Sequence, residues 1–290
     1  MKIVTFLNVN GDEIKLTNSS PIILEEIDIS NSVNIYNSKG MLEDGASYLG
    51  NTLDVKEISL KFVVIANNQD ELIDYKRRIN KVFNPKLKEG TLYYKDNIQE
   101  KKIKGIISRL PYWSDVAKNI SECLVDIIAN NPYWGDIDET KAEIALWKAQ
   151  FHFPLTIPNN KGIIMGVREP SLIVNVNNAG DVKTGMVIEF KAKGSLKNPS
   201  LYNVNTREYI KINKEMKDGE VIRINTNFNN KKIESSLNGI TTNIVNLIDL
   251  GGGDTFLQLD VGDNLLRYDA DTNLSNLEVS IYFNPKYLGV

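Results

Sequence analysis

Residues 56–65 read KEISLKFVVI and residues 69–85 read QDELIDYKRRINKVFNP, and these two stretches carry the strongest structural signals in the chain. Large apolar residues occupy every second position of the first stretch, namely Ile58, Leu60, Phe62 and Val64. This period of two predicts a β-strand with one buried face. In the second stretch the apolar residues recur every three or four positions, which predicts an amphipathic α-helix.

Signals for both ends of this helix are present in the sequence. Asn68 is a residue type that caps helices, and Asp70 and Glu71 place negative charge in the first turn, where the helix dipole favours it. Asn84-Pro85 stops the helix, because proline has no backbone N–H to donate. We therefore predict a helix over residues 69–83.

The N-terminal segment reads as strands joined by a tight turn. Residues 3–9 and 13–16 flank Asn10-Gly11, which is the strongest two-residue signal for a β-hairpin. Residues 22–29 read as a further strand. Residues 38–50 contain glycine and read as a long loop or arm.

Short strands separated by turn residues make up most of the remaining chain. They are predicted at residues 91–95, 101–110 and 119–129 in the first half, and at 172–176, 186–191, 222–225, 244–250, 256–259 and 277–283 in the second. Many short strands without intervening long helices indicate β-sandwiches. We predict a mainly β fold of two β-sandwich domains, of which the N-terminal one carries the amphipathic helix.

The two predicted domains are joined by a segment with a different pattern. Ile137, Ile144 and Trp147 recur at helical spacing, with acidic residues at the start of the segment and Lys148 near its end. We therefore predict a linker helix within residues 135–152. This leaves an N-terminal domain over residues 1–134 and a C-terminal domain over residues 153–290.

Composition excludes several classes of protein. The 290 residues contain 34 Lys and Arg against 37 Asp and Glu, and the net charge of -3 argues against a nucleic-acid binder that relies on counterion release. No window approaches the roughly 18 apolar residues of a membrane span, and the first residues lack the apolar stretch of a signal peptide. We expect a soluble protein without a secretory signal.

The chain has one Cys and one His, which limits nucleophilic and zinc chemistry to Cys123, His152 and carboxylates. A single Cys also excludes an internal disulfide. Cys123 shares a predicted strand face with Val125 and Ile127, which favours a small buried hydrophobe. His152 lies between two phenylalanines, where a structural role is favoured over a catalytic one.

Two loop patterns resemble ligand sites. Gly251-Gly252-Gly253-Asp254 is glycine-rich, but it lacks the following Lys-Ser or Lys-Thr and the βαβ context of a phosphate loop. Residues 269–273, DADTN, resemble the start of a calcium loop. Leu274 replaces the required glycine and Ser280 replaces the bidentate glutamate, so a hairpin turn with Asx side-chain bonds is the favoured interpretation.

The remaining candidates are carboxylates and aromatic residues. Asp260 and Asp263 could serve a glycosidase, although neighbouring carboxylates are common in sequences. Trp113, Trp134 and Trp147 could build a sugar-stacking platform, although aromatic residues of small sandwiches more often lie in cores or interfaces. We predict no catalytic, cofactor-binding or metal site, and therefore no enzyme.

The order of these features resembles the distal tail proteins of long-tailed bacteriophages. In the first half the likeness rests on the strand at 56–65, the helix at 69–83, TLYY at 91–94, IKGII at 103–107 and LVDIIA at 124–129 running into NNPYW at 130–134. In the second half it rests on FPL at 153–155, NAGD at 178–181, TG at 184–185, IEF at 188–190 and YLGV at 287–290. Asn131 departs from the acidic residue that many members carry there.

The resemblance implies a structural role without catalysis. Distal tail proteins form hexameric rings, in which an N-terminal β-sandwich builds the ring and a galectin-like sandwich lies outside it. The expected partners are copies of the chain, the tail tube protein, the tail-tip hub or tail-associated lysin, and receptor-binding or baseplate proteins. Assembly in the host bacterial cytoplasm and a final place in the virion tail are implied. Edge strands and the arm near residues 38–50 are suited to the ring interface.

An acidic channel would let DNA pass through such a ring without specific binding, since six copies carry a formal charge of -18. Two alternatives belong to other classes. A carbohydrate-binding module would have an exposed aromatic groove on the C-terminal domain. A glycosidase would have two facing carboxylates in such a groove.

Overall fold

The computed structural model describes residues 2–42, 44–144, 147–149, 166–168, 173–251 and 256–290, with backbone alone at 147–149 and 166–168. The chain forms two compact units. The first consists of Met1–Ile137 and Tyr287–Val290, and the second of Asp138–Lys286. Both units are built mainly of β-strands, which confirms the predicted mainly β fold class.

Among its described residues, the first unit contains one α-helix and nine strands that precede the second unit in sequence. Their bounds are β1 Ile3–Leu7, β2 Glu13–Leu16, β3 Ile22–Ser38, β4 Ser47–Ile65, α1 Gln69–Val82, β5 Gly90–Lys95, β6 Glu100–Ile107, β7 Tyr112–Ala117, β8 Ile120–Ala129 and β9 Trp134–Asp136. The strands pair in the order β2-β1-β5-β6-β8-β4-β3, and all of these pairs are antiparallel. In addition, β7 pairs with β8 and β9 pairs with β6.

The core of the first unit lies under β4, as its alternating sequence predicts. The four residues at positions 58, 60, 62 and 64 are fully buried. The ring of Phe83, just after α1, stacks on Phe6 at a centroid distance of 5.0 Å and lies 6.3 Å from the ring of Phe62. Helix α1 contributes Leu72 and Ile79 to the same core. The helix therefore covers the buried face of the strand that precedes it.

Both predicted helix ends are confirmed. The side chain of Asn68 accepts the backbone N–H of Glu71 at 2.9 Å, and the carboxylate of Glu71 in turn accepts the N–H of Asn67 at 2.8 Å. These bonds satisfy backbone donors that have no partner within the helix. The predicted N-terminal hairpin is also confirmed, and Gly11 occupies the left-handed region with φ +83° at its turn.

The segment predicted as a loop or arm is strand only at its two ends, Ser38 and residues 47–50, and the described residues between them, 39–42 and 44–46, lie outside any strand. Residues 38–50 form the end of a long hairpin in which β3 and β4 stay paired as far as Ser38 and Ser47. Three bulges interrupt the β3 register and increase its local twist. Strand β7 lies in a segment for which no strand was predicted.

The second unit contains fourteen strands and two short 3₁₀ helices within its described residues. The strands are β10 Thr140–Glu143, β11 Trp147–Ala149, β12 Gly166–Arg168, β13 Ile173–Asn178, β14 Thr184–Ala192, β15 Leu196–Asn203, β16 Tyr209–Lys211, β17 Glu215–Met216, β18 Val221–Asn225, β19 Lys232–Leu237, β20 Ile240–Asn243, β21 Gln258–Leu259, β22 Gly262–Thr272 and β23 Leu277–Phe283. The 3₁₀ helices are Val245–Leu247 and Leu274–Asn276.

Two sheets supply the core of the second unit. One has the order β10-β23-β14-β18-β19-β20, with β21 beside β14, and the other has the order β13-β22-β15-β16, with β17 beside β15. The predicted alternation in β23 is confirmed, because Leu277, Val279, Ile281 and Phe283 are all buried. Strands β11 and β12 pair only with each other within the described residues.

The predicted linker helix is wrong. Residues 140–143 form β10, which pairs antiparallel with β23, and residues 147–149 form β11. Ile144 is buried in the core of the second unit. Backbone pairing with β23 and burial of Ile144 outweigh the local helical pattern, because helix propensity is worth only a few tenths of a kcal/mol per residue.

The predicted strand at 244–250 is wrong as well. Residues 245–247 form a 3₁₀ helix, and the side chain of Asn243 accepts the backbone N–H of Val245 at 2.9 Å. This side-chain bond turns the backbone at the point where a strand would have to continue.

The second unit is an insertion within the first, since the chain returns to the first unit at Tyr287. The last strand, β24 Lys286–Tyr287, pairs with β9. The ammonium of Lys101 donates to Asp136 and lies 3.4 Å from the centroid of the Tyr287 ring. The buried Lys56 donates to the carbonyl of Leu288 at 2.6 Å. The predicted domain boundaries placed residues 287–290 in the C-terminal domain, whereas these residues belong to the first unit.

We expect Phe83→Ala to destabilise the first unit strongly. Phe83 is fully buried against two other rings, so truncation leaves a cavity and should lower the free energy of unfolding by about 3–5 kcal/mol. Urea unfolding followed by tryptophan fluorescence measures this, because Trp113 and Trp134 lie in the first unit.

The matched control is Ile98→Ala, at a turn residue that is 94% exposed. It should change the free energy of unfolding by less than about 0.5 kcal/mol. Equal effects of the two substitutions would contradict the assignment of Phe83 to the core.

Candidate assembly interface

The hairpin of β3 and β4 extends beyond the sheet as a two-stranded arm. Within the described residues β8 pairs with β4 only over Lys56–Ile65, whereas β3 and β4 stay paired to their tips. We call residues 32–54 the arm. A two-stranded hairpin without a packed face is at best marginally stable in water.

Large apolar side chains are exposed along the arm, namely Val33, Ile35, Tyr36, Met41, Leu42, Tyr48 and Leu49. Cross-strand pairing sets Val33 opposite Leu53 and Ile35 opposite Asn51, so these side chains share one face. Tyr36 projects from the other face, where its hydroxyl lies 3.2 Å from Thr52 Oγ1. Exposed apolar surface on this scale marks a site of association.

The sheet that carries the arm has open edges on both sides. Among the described residues β3 pairs only with β4, apart from a single bridge at Ile23, and β7 pairs only with β8. Tyr112 and Val116 of β7 are well exposed. An open edge offers unpaired N–H and C=O groups, to which a strand of another chain can pair.

The outward face of β3, β4 and β8 is acidic. We call its carboxylates the acidic face, namely Glu25, Glu26, Asp28, Glu57, Glu122 and Asp126. Lys61 lies 3.1 Å from Glu25 and 3.6 Å from Glu122, and these carboxylates raise its pKa. Arg109 lies 3.5 Å from Asp126. The acidic face has six carboxylates, and Lys61 and Arg109 contribute only two positive charges beside them, so the net charge of these groups is negative.

The candidate nucleophile Cys123 is buried in the core of the first unit, as predicted. Burial raises the pKa of its thiol to about 12, because the thiolate would lose its hydration. His152 lies outside the described residues. The described residues therefore contain no histidine that could form a catalytic dyad with Cys123.

The tryptophans do not form a platform where the structure describes their side chains. Trp134 is fully buried, with its ring 6.2 Å from that of Tyr94. Trp113 packs on the core, and its indole N–H donates to Asn80 at 3.0 Å. The side chain of Trp147 lies outside the described residues.

The loop candidates have ordinary structural partners. The residues resembling a calcium loop mostly extend β22, and Asn273, which has φ 54°, leads into the 3₁₀ helix Leu274–Asn276. The expected hairpin turn is wrong, because β22 and β23 belong to different sheets. Asp271 accepts from Lys211 at 2.7 Å, and this bond lowers the pKa of its carboxyl group. Gly251 donates to Asp249 at 2.9 Å, and the rest of the glycine-rich turn lies outside the described residues.

The two carboxylates considered for a glycosidase bind different neighbours. Asp260 pairs with Lys183 at 2.8 Å, and Asp263 accepts from Asn177 at 2.8 Å. Within the described ranges, no group of three or more His, Cys, Asp or Glu side chains is arranged to hold a metal ion. None of the helices in the same ranges has the length and apolar sequence that a membrane span requires.

Two family models match the chain, one in each unit. The model described as phage tail protein RIFT-related domain matches residues 9–116, and the model described as siphovirus-type tail component, C-terminal domain, matches residues 179–287. The chain belongs to the siphovirus distal tail protein family. It is therefore a structural component of a phage or phage-like tail.

Solved structures share the fold of this distal tail protein. The crystal structure of SPP1 Dit, described as a paradigm of the hub adsorption apparatus in Gram-positive infecting phages, aligns with a TM-score of 0.68 and 14% identity, covering 98% of this chain and 99% of that one. Chains of the phage P2 baseplate in its activated conformation align with TM-scores of 0.53 with Ca and 0.51 with Sr, both at 13% identity, covering 100% of this chain and 99% of each. No curated protein matches the chain.

The sequence predicts the candidate interface of this distal tail protein only in part. An arm near residues 38–50 was predicted, but its length and its strand character were not. Val33, Asn34 and Ile35 form a short apolar–polar alternation, but Asn31 and Tyr36 break it on either side. The local pattern therefore does not continue the predicted strand past residue 29, and the length of the hairpin is set by the pairing of β3 with β4.

We expect Cys123 of the folded distal tail protein to resist thiol reagents. A thiol with a pKa of about 12 forms little thiolate at pH 8, so a disulfide reagent should react on the order of 1000-fold more slowly than with an exposed cysteine. Absorbance measurements with an aromatic disulfide test this. In urea the same reagent should titrate one thiol per chain, and rapid labelling of the folded protein would refute the burial.

Proposed function

We propose that this distal tail protein forms a hexameric ring that joins the tail tube to the tail tip or baseplate. The observation that carries the proposal is the arm, a two-stranded hairpin with apolar side chains exposed on both faces. Such a hairpin gains stability when a second chain covers it. The described hub role of SPP1 Dit, a protein of the same fold, supports the same assignment.

The sheet edges support a ring rather than a two-fold dimer. The edge at β3 and the edge at β7 differ in sequence, so pairing the β3 edge of one copy with the β7 edge of the next is a heterologous contact. Heterologous contacts repeat around an axis and close when the rotation per copy divides a full turn. The arm extends β3 and would lengthen this contact.

The acidic face supports a channel through which DNA passes. A surface with six carboxylates and two paired cations repels phosphates, so DNA would move past it without sticking. We place this face toward the ring axis. The expected partners are the tail tube protein on one side and the tip hub, lysin or other baseplate proteins on the other, with assembly in the host bacterial cytoplasm.

Light scattering coupled to size-exclusion chromatography tests the ring directly. The hexamer should have six times the chain mass of 32.7 kDa, and negative-stain images should contain rings with six subunits. A wild-type protein that stays monomeric at every concentration would contradict the proposal.

The arm should be required for the ring. In Val33→Asp/Ile35→Asp, two carboxylates replace the exposed apolar side chains of one arm face, and burying them against a neighbour is strongly unfavourable. We expect the variant to elute as a monomer whose far-UV circular dichroism spectrum is that of the folded wild type, while its melting temperature falls because the stabilisation by neighbouring copies is lost. Ile98→Asp is the matched control, because Ile98 is more exposed but lies outside the arm, and it should remain hexameric.

The position of the acidic face can be tested by charge reversal. Glu26→Lys/Asp28→Lys/Glu57→Lys raises the formal charge of each copy from -3 to +3. We expect preassembled rings of this variant to bind linear duplex DNA, which can enter by its end, and not closed circular DNA. Binding should weaken steeply as salt rises. Gel shifts with both DNA forms measure this.

The control carries the same charge change on the second unit, as Glu215→Lys/Asp218→Lys/Asp269→Lys at exposed positions. These lysines would lie outside the channel, so the control should bind linear and circular DNA alike. If the acidic-face variant also bound both forms alike, that face would lie outside the channel, and this would not affect the evidence for the hexamer itself.

A further inference from the structure

The second unit has a polar groove on the outward side of the sheet that contains β14. The groove has a volume of about 410 Å³. Antiparallel register sets Tyr282, Val187, Asn225 and Lys232 side by side in one row across β23, β14, β18 and β19. Arg223 and Glu234 occupy the next row and also line the groove. We call this site the outer groove.

Two donor groups of the outer groove are held in place by neighbours. The Nε–H of Arg223 donates to Glu189 at 3.0 Å, which orients the guanidinium and leaves its terminal N–H groups as further donors. The side-chain oxygen of Asn225 accepts the backbone and side-chain N–H groups of Asn227 at 2.9 and 3.0 Å. This fixes the orientation of the Asn225 amide. Donors that are ordered before binding reduce the entropy lost on binding.

The floor of the groove is apolar where the first row crosses its centre. Tyr282 and Val187 lie directly opposite each other on neighbouring strands, and both are half-buried. An aromatic ring beside an aliphatic side chain offers a surface for C–H groups. The groove thus combines an apolar floor with polar groups at its sides, as in small-molecule sites.

The charges that line the groove cancel. Glu139 and Glu234 line it together with Arg223 and Lys232. Two further opposite charges lie next to it, Glu189 bonded to Arg223 and Lys141 with its ammonium 5.8 Å from the centroid of the Tyr282 ring. A phosphate or a polyanion would meet two carboxylates, and a cation would meet two basic groups. A neutral ligand whose hydroxyls both donate and accept hydrogen bonds matches this lining, because arginine and amide N–H groups donate while carboxylates accept.

We propose that the outer groove binds a neutral hexose or N-acetylhexosamine unit of a glycan. The pyranose C–H face packs on Tyr282 and Val187, and its hydroxyls bind Arg223, Asn225 and Glu234. This is a binding function additional to tail assembly, and it depends on the second unit alone. A one-sugar ligand buries little surface, so its dissociation constant should be on the order of 1–10 mM.

Saturation-transfer NMR on the full chain tests the proposal with D-glucose, D-galactose and N-acetyl-D-glucosamine as probes. We expect saturation transfer to the ring protons of at least one probe. Tyr282→Ala and Arg223→Met should each weaken its binding about fivefold or more in a titration. Circular dichroism should give the same melting temperature for both variants as for the wild type, since both side chains lie on the outward face.

Tyr202→Ala is the matched control. Tyr202 is a half-buried tyrosine on the other sheet of the same unit, with the guanidinium of Arg267 5.4 Å from its ring centroid. This variant should bind the probe as the wild type does. Absence of transfer to all three probes would overturn the proposal, and so would an equal loss of binding in Tyr202→Ala. Neither result would bear on the hexamer, which the mass measurement tests.

Discussion

The buried face of β4 is the constraint on which the first unit depends. Its four core residues pack beneath α1 and between β3 and β8, so the helix and two neighbouring strands share one apolar surface. Because successive side chains of a strand point to opposite faces, burying this face forces Glu57, Ser59 and Lys61 outward. The core residues and the part of the acidic face on β4 therefore lie on opposite faces of the same strand.

The same strand also produces the arm. Strand β4 has 19 residues, which is much longer than the core that it crosses, and its partner β3 has 17. The part of the hairpin that extends beyond the core keeps the backbone pairing between β3 and β4. Among the described residues, no third strand pairs with this part. Apolar side chains in that part remain exposed, and this is why the proposed ring contact is an extension of the fold rather than a separate module.

The second unit shows how a site can form from residues that are distant in sequence. Its strands are short, and the first row of the outer groove takes one residue from each of four strands between positions 187 and 282. Among the candidates that the sequence offered, Trp113 and Trp134 pack on or in the core, and the paired aspartates bind other neighbours. Nothing in the sequence connects Tyr282 with Arg223, because only the strand register brings these residues together.

Local signals in the sequence determined the elements whose interactions are themselves local. The cap at Asn68, the stop at Asn84-Pro85 and the N-terminal hairpin all depend on bonds between residues close in the chain, and all were predicted. The segment 136–150 had a helical pattern but became strands, since pairing with β23 and burial of Ile144 involve residues more than 100 positions away. The length of the arm, the acidic face and the return of the chain at Tyr287 were likewise decided by tertiary pairing, which local sequence patterns do not encode.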